Sequence, residues 1–373
     1  MVVIAGTPEI YIQELPADRR IAPVATSVTA FVGPTHLGPA EPTPIGSFPD
    51  FERIFGGVSI DSSVSFAVRD FFANGGTQAV IVRAEQHDLA ALEAVDQFDL
   101  LCLPPPTLDG ETPVAVYRAA MDHCGERRAM LLVDPPRGLT GATAQAYVDA
   151  LGSAGAVARN AALYYPRIRV VDPTAGGQVR EVVPCGAVAG VIARTDSTRG
   201  VWKSPAGTTA TLAGTVRLAV DVSDSENGRL TSIGINCLRS FPSTGTVVWG
   251  ARTLRGADAA SDEYKYVPVR RTALFIEKSI DRDTQWVVFE PNDEPLWAAL
   301  RLSVGAFLHV LFREGAFQGR TPREAYFVKC DRETTSLTDI ENGRVNVVIG
   351  FAPLRPAEFV VLHLQRRTAQ PST

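Results

Sequence analysis

The chain has 373 residues, of which 45% are hydrophobic and 21% are charged, and its formal net charge at pH 7 is −5. This size and composition predict a globular protein of two or three domains, and the lack of a dense Lys/Arg block argues against nucleic-acid binding. The amino terminus lacks the basic flank and apolar core of a signal peptide, and no uninterrupted apolar run is long enough to span a membrane. We therefore expect a cytoplasmic protein that does not bind membranes.

The five cysteines are scattered singly along the chain. They occur at positions 102, 124, 185, 237 and 330, without the paired spacing that is typical of zinc sites or thiol exchange. We expect all five to be reduced, small core residues.

The first ninety residues predict an extended segment followed by a β-α-α-β unit. Residues 9–15 alternate like a strand, but Pro8 and Pro16 flank them and confine the strand to a sheet edge. The expected unit consists of a strand at 27–33, a helix after Ser47 with Phe48, Phe51 and Phe55 at helical spacing, a helix at 64–73 stopped by Asn74-Gly75-Gly76, and a strand at 79–83.

The middle of the chain alternates between short apolar runs and helical stretches. The apolar runs lie at 99–104, 129–135 and 161–166, and the helical stretches lie at 114–124 and 143–158. Strands that are apolar on both faces and separated by helices are typical of parallel sheets. We therefore expect a mainly parallel α/β sheet with helices on its faces.

The C-terminal third predicts a mixture of strands and helices. We expect strands at 266–270 and 285–290, a helix at 271–280, a long helix at 293–314, and closing strands at 345–351 and 358–366. Residues 292–295 supply a capping side chain, an acid and an early proline for the long helix, and Gly315 ends it. Its apolar stripe consists of Leu296, Leu300, Val304, Phe307, Leu308 and Leu311.

Four parts of the sequence together resemble contractile tail sheath proteins. The longest is 264–297, with two tryptophans and a Pro-Asn-Asp-Glu-Pro turn in fixed order, and the others are 55–83, 199–207 and 236–254. The resemblance is weakest across 87–180. It implies a central subtilisin-like α/β sheath domain and a C-terminal α+β sheath domain, with extended N- and C-terminal arm strands.

The resemblance also implies an organisation and a function. The implied segments are an N-terminal arm strand (1–25), the N-terminal part of the sheath core (26–90), the central α/β domain (91–258), the C-terminal sheath domain (259–356), and a C-terminal arm strand and tail (357–373). The implied function is that of a structural subunit, without a cofactor, that polymerises helically around an inner tube and contracts to drive the tube through a target envelope. The inner tube, baseplate and tail terminator proteins are then the expected partners.

The two terminal strands are the candidate contacts between subunits. Unpaired backbone groups of a strand template association, although from the residues alone both strands could equally well pair within one subunit. The resemblance favours exchange between subunits. The candidate residues are Ile10, Tyr11, Ile12, Gln13, Phe359, Val360, Val361 and Leu362.

The polar end of the long helix and the loop after it are the candidate contact with an inner tube, because the resemblance implies attachment through this region. It offers Arg313, Glu314 and Arg320, with Arg301 and His309 as weaker candidates on the same helix. The alternative is that these charges are simply solvated at the surface.

Two other functions compete with this interpretation. One is a subtilisin-type α/β hydrolase, and the other is a different tail or baseplate structural protein, although the α/β middle region argues against an all-β tube protein.

The histidines available for catalysis are His36, His87, His123, His309 and His363. None lies in a glycine-flanked catalytic motif, and the chain has no Gly-x-Ser-x-Gly elbow and no phosphate-binding loop. A calcium-loop-like phrase at 281–285 is followed by Trp286 where glycine is required, so we expect no catalytic, cofactor or metal residue.

Overall fold

The computed structural model describes residues 20–85, 88–354 and 360–367. The strands are β1 (Thr29–Gly33), β2 (Thr43–Ile45), β3 (Ala79–Arg83), β4 (Leu100–Cys102), β5 (Met130–Val133), β6 (Ala161–Tyr165), β7 (Ile168–Val171), β8 (Val179–Val182), β9 (Thr215–Leu218), β10 (Ile235–Phe241), β11 (Gly245–Val248), β12 (Tyr326–Lys329), β13 (Arg344–Phe351) and β14 (Val360–Arg367). The α-helices are α1 (Phe48–Phe55), α2 (Ser63–Ala73), α3 (Val114–Glu126), α4 (Gly141–Ala150), α5 (Cys185–Arg199), α6 (Asp224–Ser232), α7 (Val267–Asp283), α8 (Glu294–Arg313), α9 (Pro322–Ala325) and α10 (Leu337–Glu341). Short 3-10 helices lie at Leu89–Ala94, Ala156–Asn160, Asp258–Ala260 and Gln285–Phe289.

An eight-stranded sheet forms the centre of the molecule, with the strand order β11-β10-β6-β5-β4-β1-β3-β2. The six inner strands run parallel, and β2 and β11 pair antiparallel at the two edges. Strands β1, β4, β5 and β6 are buried along their whole length, as expected when both faces of a sheet are covered. The predicted α/β sheet is therefore confirmed. Strands from the expected segments 26–90 and 91–258 hydrogen-bond within this one sheet. A separate small antiparallel sheet has the order β8-β7-β9.

Helices cover both faces of the central sheet. Helices α2 and α5 pack on the face that receives Phe31 of β1, and α3 and α4 pack on the face that receives its neighbours Ala30 and Val32. This alternation along one strand divides the hydrophobic core into two layers. The sequence analysis did not predict α5, which lies in a region rich in glycine, threonine and serine.

Two glycines explain how closely α5 approaches α2. A Cβ atom at Gly186 would lie 2.0 Å from the carbonyl oxygen of Ala67, and one at Gly190 would lie 2.4 Å from the carbonyl oxygen of Phe71. Any side chain at either position would force the helices apart. The two glycines are four residues apart and therefore lie on one face of α5.

The predicted helices near the amino terminus are confirmed, and one later helix is shorter than predicted. Helix α1 begins after Ser47, whose hydroxyl oxygen accepts a hydrogen bond from the Asp50 N–H group (3.3 Å). Helix α2 begins after Ser62 in the same way. The helix predicted at 143–158 ends at Ala150, because Gly152 has a φ of 81°. All five cysteines are buried and unpaired, as predicted.

The C-terminal domain packs α7 and α8 on the antiparallel sheet β12-β13-β14. The strands predicted at 266–270 and 285–290 are wrong, because the first region begins α7 and the second is the 3-10 helix Gln285–Phe289. The valines of both regions favour strands locally, but Pro268 is compatible with a first helical turn and tertiary packing overrides the propensity. The buried stripe of α7 includes Val269, Ala273, Ile276 and Ile280.

The long helix predicted at 293–314 is α8. The carboxylate of Asp293 caps it by accepting a hydrogen bond from the Leu296 N–H group (3.4 Å), and all six residues of the predicted stripe are buried. Within the described part of the chain, α8 is also the helix whose length and mean hydropathy would suit a membrane span. Its buried face is nevertheless part of the core of the C-terminal domain, as in an internal helix of a globular protein.

Candidate assembly surfaces

The edge of the C-terminal sheet carries one of the two candidate terminal strands. β13 is the middle strand, with β12 on one side and β14 on the other. β14 runs antiparallel to β13 over eight residues, and Val360, Val361 and Leu362 lie opposite the last three residues of β13. In a single chain, β14 therefore pairs with β13 of the same subunit. The remaining strand candidates lie outside the described residues, and they are Ile10, Tyr11, Ile12, Gln13 and Phe359.

A lead-in segment, defined here as residues 20–26, fastens the beginning of the described chain to α7. The Ala22 N–H group donates to Asp283 Oδ2 (2.6 Å), and the Ala22 carbonyl oxygen accepts a hydrogen bond from Arg282 Nη2 (2.9 Å). The residues before position 20 therefore start from a fixed point on α7.

Helix α7 also joins the C-terminal domain to the central domain through a buried ion pair. The Arg271 guanidinium donates to both carboxylate oxygens of Asp196 on α5, at 2.6 and 2.8 Å, and the two side chains are only 3% and 4% exposed. Although burial opposes the charge of Arg271, Asp196 holds the pKa of this guanidinium above its ordinary value. Arg271 also donates to the Thr26 carbonyl oxygen (2.7 Å), so the lead-in segment, α5 and α7 meet at one side chain.

A second buried pair lies immediately before β4. Lys278 Nζ on α7 donates to Asp99 Oδ1 (2.8 Å) and to the Phe98 carbonyl oxygen (2.6 Å). Asp99 Oδ2 accepts a hydrogen bond from the Val28 N–H group (3.0 Å), just before β1. Burial raises the pKa of Asp99, and Lys278 offsets only part of that effect. Because removing one member of a buried pair leaves an uncompensated charge, loss of either partner should destabilise the contact between the two domains.

The candidate tube contacts lie at the end of α8 and in the loop that follows. Arg313, Glu314 and Arg320 are all exposed. The helix ends at Gly315, which has a φ of 81° and whose N–H group donates to the Phe312 carbonyl oxygen (3.0 Å), as in a Schellman turn. The three charged residues are thus accessible on a surface of defined shape, and their contact with a tube stays a prediction.

The two weaker candidates on α8 make contacts within the chain. Arg301 donates to the Cys330 carbonyl oxygen and pairs with Glu294 (2.5 Å). His309 Nδ1 lies 3.2 Å from the hydroxyl oxygen of Tyr326 on β12. Both side chains therefore help to hold α8 in place, which makes them poorer candidates for a contact with another protein.

The hydrolase alternative depends on a nucleophile within reach of His123 or His87. The ring of His123 stacks on Phe98, with ring centroids 6.1 Å apart, and its Nδ1 atom faces a Glu93 carboxylate oxygen at 3.6 Å. Burial lowers the pKa of His123, Glu93 partly opposes this, and the buried Nε2 atom has no hydrogen-bond partner. A carboxylate on one nitrogen and no partner on the other do not form the nucleophile–base pair of a hydrolase. His87 lies outside the described residues.

A buried carboxyl group at the end of β5 was not singled out by the sequence analysis. Asp134 is 3% exposed, and its Oδ1 atom accepts a hydrogen bond from the Cys185 N–H group at the start of α5 (2.9 Å). Pro184, the residue before α5, has no side-chain oxygen, so Asp134 caps the helix from a neighbouring strand. Burial raises the pKa of Asp134 to about 7, although Cys185 and Arg167 oppose the shift. In the described part of the chain, no three His, Cys, Asp or Glu side chains converge on a possible metal site.

Comparison with known proteins shows the family to which the chain belongs. Residues 82–254 match the family model for the phage tail sheath protein central domain, and residues 259–366 match the model for the phage tail sheath C-terminal domain. The tail sheath protein of Vibrio phage KVP40 is 28% identical over 186 residues, which are 49% of this chain and 26% of that protein. The match therefore spans about a quarter of that relative's length.

Two solved assemblies contain chains that are similar over nearly their whole length. A chain of the anti-feeding prophage (AFP) baseplate is 31% identical, with 98% of this chain and 100% of that chain covered and a TM-score of 0.75. A chain of the PVC sheath complex, an extracellular contractile injection system in its contracted state, is 30% identical, with 97% and 98% covered and a TM-score of 0.76. The α/β central domain and the α+β C-terminal domain agree with these matches, and the chain belongs to the phage tail sheath protein family.

Proposed function

We propose that this chain is the structural subunit of a contractile sheath, which polymerises helically around an inner tube and contracts to drive the tube through a target envelope. The observation that carries the proposal is the similarity, over almost the whole chain, to a chain of the contracted PVC sheath. The same similarity favours an extracellular injection particle over a phage tail. The task is mechanical, and the proposal assigns the subunit no enzymatic activity.

Assembly of the purified chain tests this function. We expect long hollow helical tubes by negative-stain electron microscopy, in a contracted-like form, because no inner tube is present to hold an extended form. A monodisperse monomer at high protein concentration, measured by light scattering, would contradict the proposal.

Exchange of terminal strands is the proposed link between subunits. The pairing of β14 with β13 uses backbone hydrogen bonds, and β13 of another copy offers the same bonds in the same register. A donated strand would therefore replace the in-chain strand bond for bond, with Val360, Val361 and Leu362 opposite the end of the neighbour's β13. Ile10, Tyr11, Ile12 and Gln13 are proposed to extend a neighbouring sheet in a similar way. Such ladders would persist while subunits rotate if the arms act as hinges.

The inner tube is the proposed partner inside the sheath. Arg313, Glu314 and Arg320 are exposed at the polar end of α8, where they could meet charges of a tube protein. A single exposed charge pair contributes about 0.2–1 kcal/mol, but helical repetition multiplies this contribution over every subunit.

A baseplate and a tail terminator are the proposed partners at the two ends of the sheath. Assembly is proposed to take place in the cytoplasm of the producing bacterium.

A further inference from the structure

A groove of about 770 Å³ runs along the outward face of α8. We call it the α8 groove. The lead-in segment forms its opposite wall, and the loop after α5 closes one side. Its principal lining residues are Leu302, Ala306 and Val310 of α8, Ile21 and Pro23 of the lead-in segment, and Trp202.

The α8 groove is apolar and open to solvent in the single chain. Leu302 is 55% exposed and Val310 is 53% exposed, although both belong to a helix whose other face is fully packed. Lining side chains with a full charge include Arg20 and Glu314. Exposed apolar surface of this kind on a soluble protein marks a site that another segment or molecule covers.

The course of the chain indicates which segment covers the groove. Arg20 and Ile21 line the groove, and the two hydrogen bonds of Ala22 to α7 hold the chain at this point. The nineteen residues before Arg20 are therefore delivered to the groove at a high effective concentration. Residues 16–20 can extend over about 17 Å, which is enough for the preceding residues to turn back along α8.

The length and pattern of residues 9–15 match the groove. Seven residues in an extended conformation span about 23 Å. From Ala299 to Glu314, the α8 wall spans about 22 Å. In an extended segment, Ile10 and Ile12 lie on one face, which would place two apolar side chains against an apolar wall.

We propose that residues 9–15 occupy the α8 groove of their own chain as long as the subunit is not part of a polymer. Ile10 and Ile12 then pack against the apolar wall between Leu302 and Val310, and the segment leaves the groove when the subunit joins a neighbour. This inference rests on the proposed function, since it assigns the same segment a place before assembly. The occupied groove delays polymerisation until a growing end competes for the segment.

A disulfide cross-link tests the position of the segment. The variant carries Ile12→Cys and Leu302→Cys, and the matched control carries Ile12→Cys and Leu337→Cys, because Leu337 is a leucine 79% exposed on α10, outside the groove. All five native cysteines are buried, so mild oxidation acts on the introduced pair. Sedimentation separates free subunits from polymers, and non-reducing gels with mass spectrometry then identify cross-links within and between chains.

We expect a cross-link within one chain in the unsedimented Leu302→Cys variant, and little in the Leu337→Cys control. The cross-linked subunit should fail to polymerise until a reductant is added. A yield equal to that of the control would overturn the proposal, and so would cross-links that join two chains. If the reduced protein never sediments, the proposed polymerisation has failed instead, and the cross-link still reports where the segment lies.

A substitution without any cross-link provides a second test. Val310→Asp places a carboxylate in the groove wall and should shorten the lag before polymerisation by about tenfold, because it replaces one apolar contact of the segment with a charge that the segment would desolvate. Leu337→Asp is the control on exposed surface elsewhere and should leave the lag unchanged. An unchanged lag for a folded Val310→Asp variant, verified by circular dichroism, would overturn the proposal.

Discussion

Different kinds of contact stabilise two regions of the molecule. One region is the body, which is the central sheet with its helices and α7, and the other is the edge of the C-terminal sheet. In the body, α5 packs closely against α2 because Gly186 and Gly190 have no side chains at the contact. Arg271 and Asp196 form a buried ion pair there as well. At the edge, β14 is held to β13 by a backbone ladder. A side-chain fit is specific to one partner, whereas a backbone ladder accepts any strand of suitable register. The chain thus separates contacts that must persist from contacts that another copy can replace.

Breaking the buried ion pair should damage the body most. Arg271→Met leaves Asp196 buried without its partner, which should lower the free energy of unfolding by about 3–5 kcal/mol. Urea unfolding followed by tryptophan fluorescence measures this change. Arg53→Met removes an exposed partner of Asp50 and should leave the urea midpoint unchanged. If both variants unfold like the parent protein, the Arg271 pair does not fasten the two domains.

Widening the contact between α2 and α5 should have the next largest effect. Gly186→Ala places a Cβ atom 2.0 Å from the Ala67 carbonyl oxygen, and overpacking of this kind costs about 1–3 kcal/mol. Gly228→Ala on α6 is the matched control, because its Cβ would meet no atom within 4 Å and helix propensity should stabilise it by up to about 1 kcal/mol. Thermal unfolding by circular dichroism should therefore give Tm changes of opposite sign. Changes of the same sign would argue against close helix packing as the reason for Gly186.

The body should also become less stable as the pH rises towards neutrality. The folded-state pKa of Asp134, about 7, lies above its ordinary value of 3.8, so the folded chain binds this proton more tightly than the unfolded chain. The resulting stabilisation is complete below about pH 4 and is lost towards pH 7, at up to about 1.4 kcal/mol per pH unit. Asp70, whose pKa is raised to about 6 by burial, adds a similar slope over a narrower range.

Urea midpoints at successive pH values check this prediction. Asp134→Asn cannot ionise and should flatten the part of the slope between about pH 6 and 7, whereas Asp122→Asn, on the exposed face of α3, should not. Equal slopes in the parent protein and the Asp134→Asn variant would show that Asp134 does not bind the proton in this range.

Removing the arms should affect assembly while sparing the body. Deletion of residues 357–373 removes β14 but leaves β13 paired with β12, so the chain should remain folded and soluble without forming tubes. Deletion of residues 1–17 should have the same outcome. Deletion of residues 368–373 alone retains β14 and serves as the control that still assembles. Circular dichroism reports the fold and electron microscopy reports the polymer, and tubes built by either truncated chain would exclude that arm as the link.

Charge reversal at the end of α8 should have the smallest effect on each subunit. Arg313→Glu combined with Arg320→Glu should leave tube-free polymers intact but release or prematurely contract sheaths assembled around a tube, since each pair contributes only about 0.2–1 kcal/mol. Arg53→Glu, on an exposed site of α1, is the control. Electron micrographs that still show extended, tube-filled particles for the double variant would rule out this contact.

The sequence predicted the helices and strands whose caps, apolar patterns and stop residues lie close together in the chain. The cap at Asp293, the apolar stripe and the stop at Gly315 lie within one stretch of chain, and α8 follows them closely. The parallel strands were recognisable because burial on both faces leaves short, uninterrupted apolar runs. The same local pattern predicted the exposure of Arg313 at the end of the helix and of Arg320 in the loop that follows.

Features that depend on distant residues were missed. Helix α5 is capped by Asp134, which lies about fifty positions earlier, and its glycines make sense only beside α2. The start of α7 resembles a strand because its valines are strand formers, and only packing inside the C-terminal domain makes it a helix. The sequence could not predict the partner of β14, because pairing within one chain and between two chains would use the same backbone bonds.

The pairing of β14 with β13 has an arithmetic consequence for any polymer built by exchange. Every chain carries one last strand and one place to receive it. A copy that gives its strand away vacates its own place, which the strand of the next copy must fill. Donors and receivers then remain equal in number at every size, and only the first and last copies differ from the rest. Unless the copies close into a ring, growth by this rule has no natural stopping point, so something other than this chain must set the length of the finished structure.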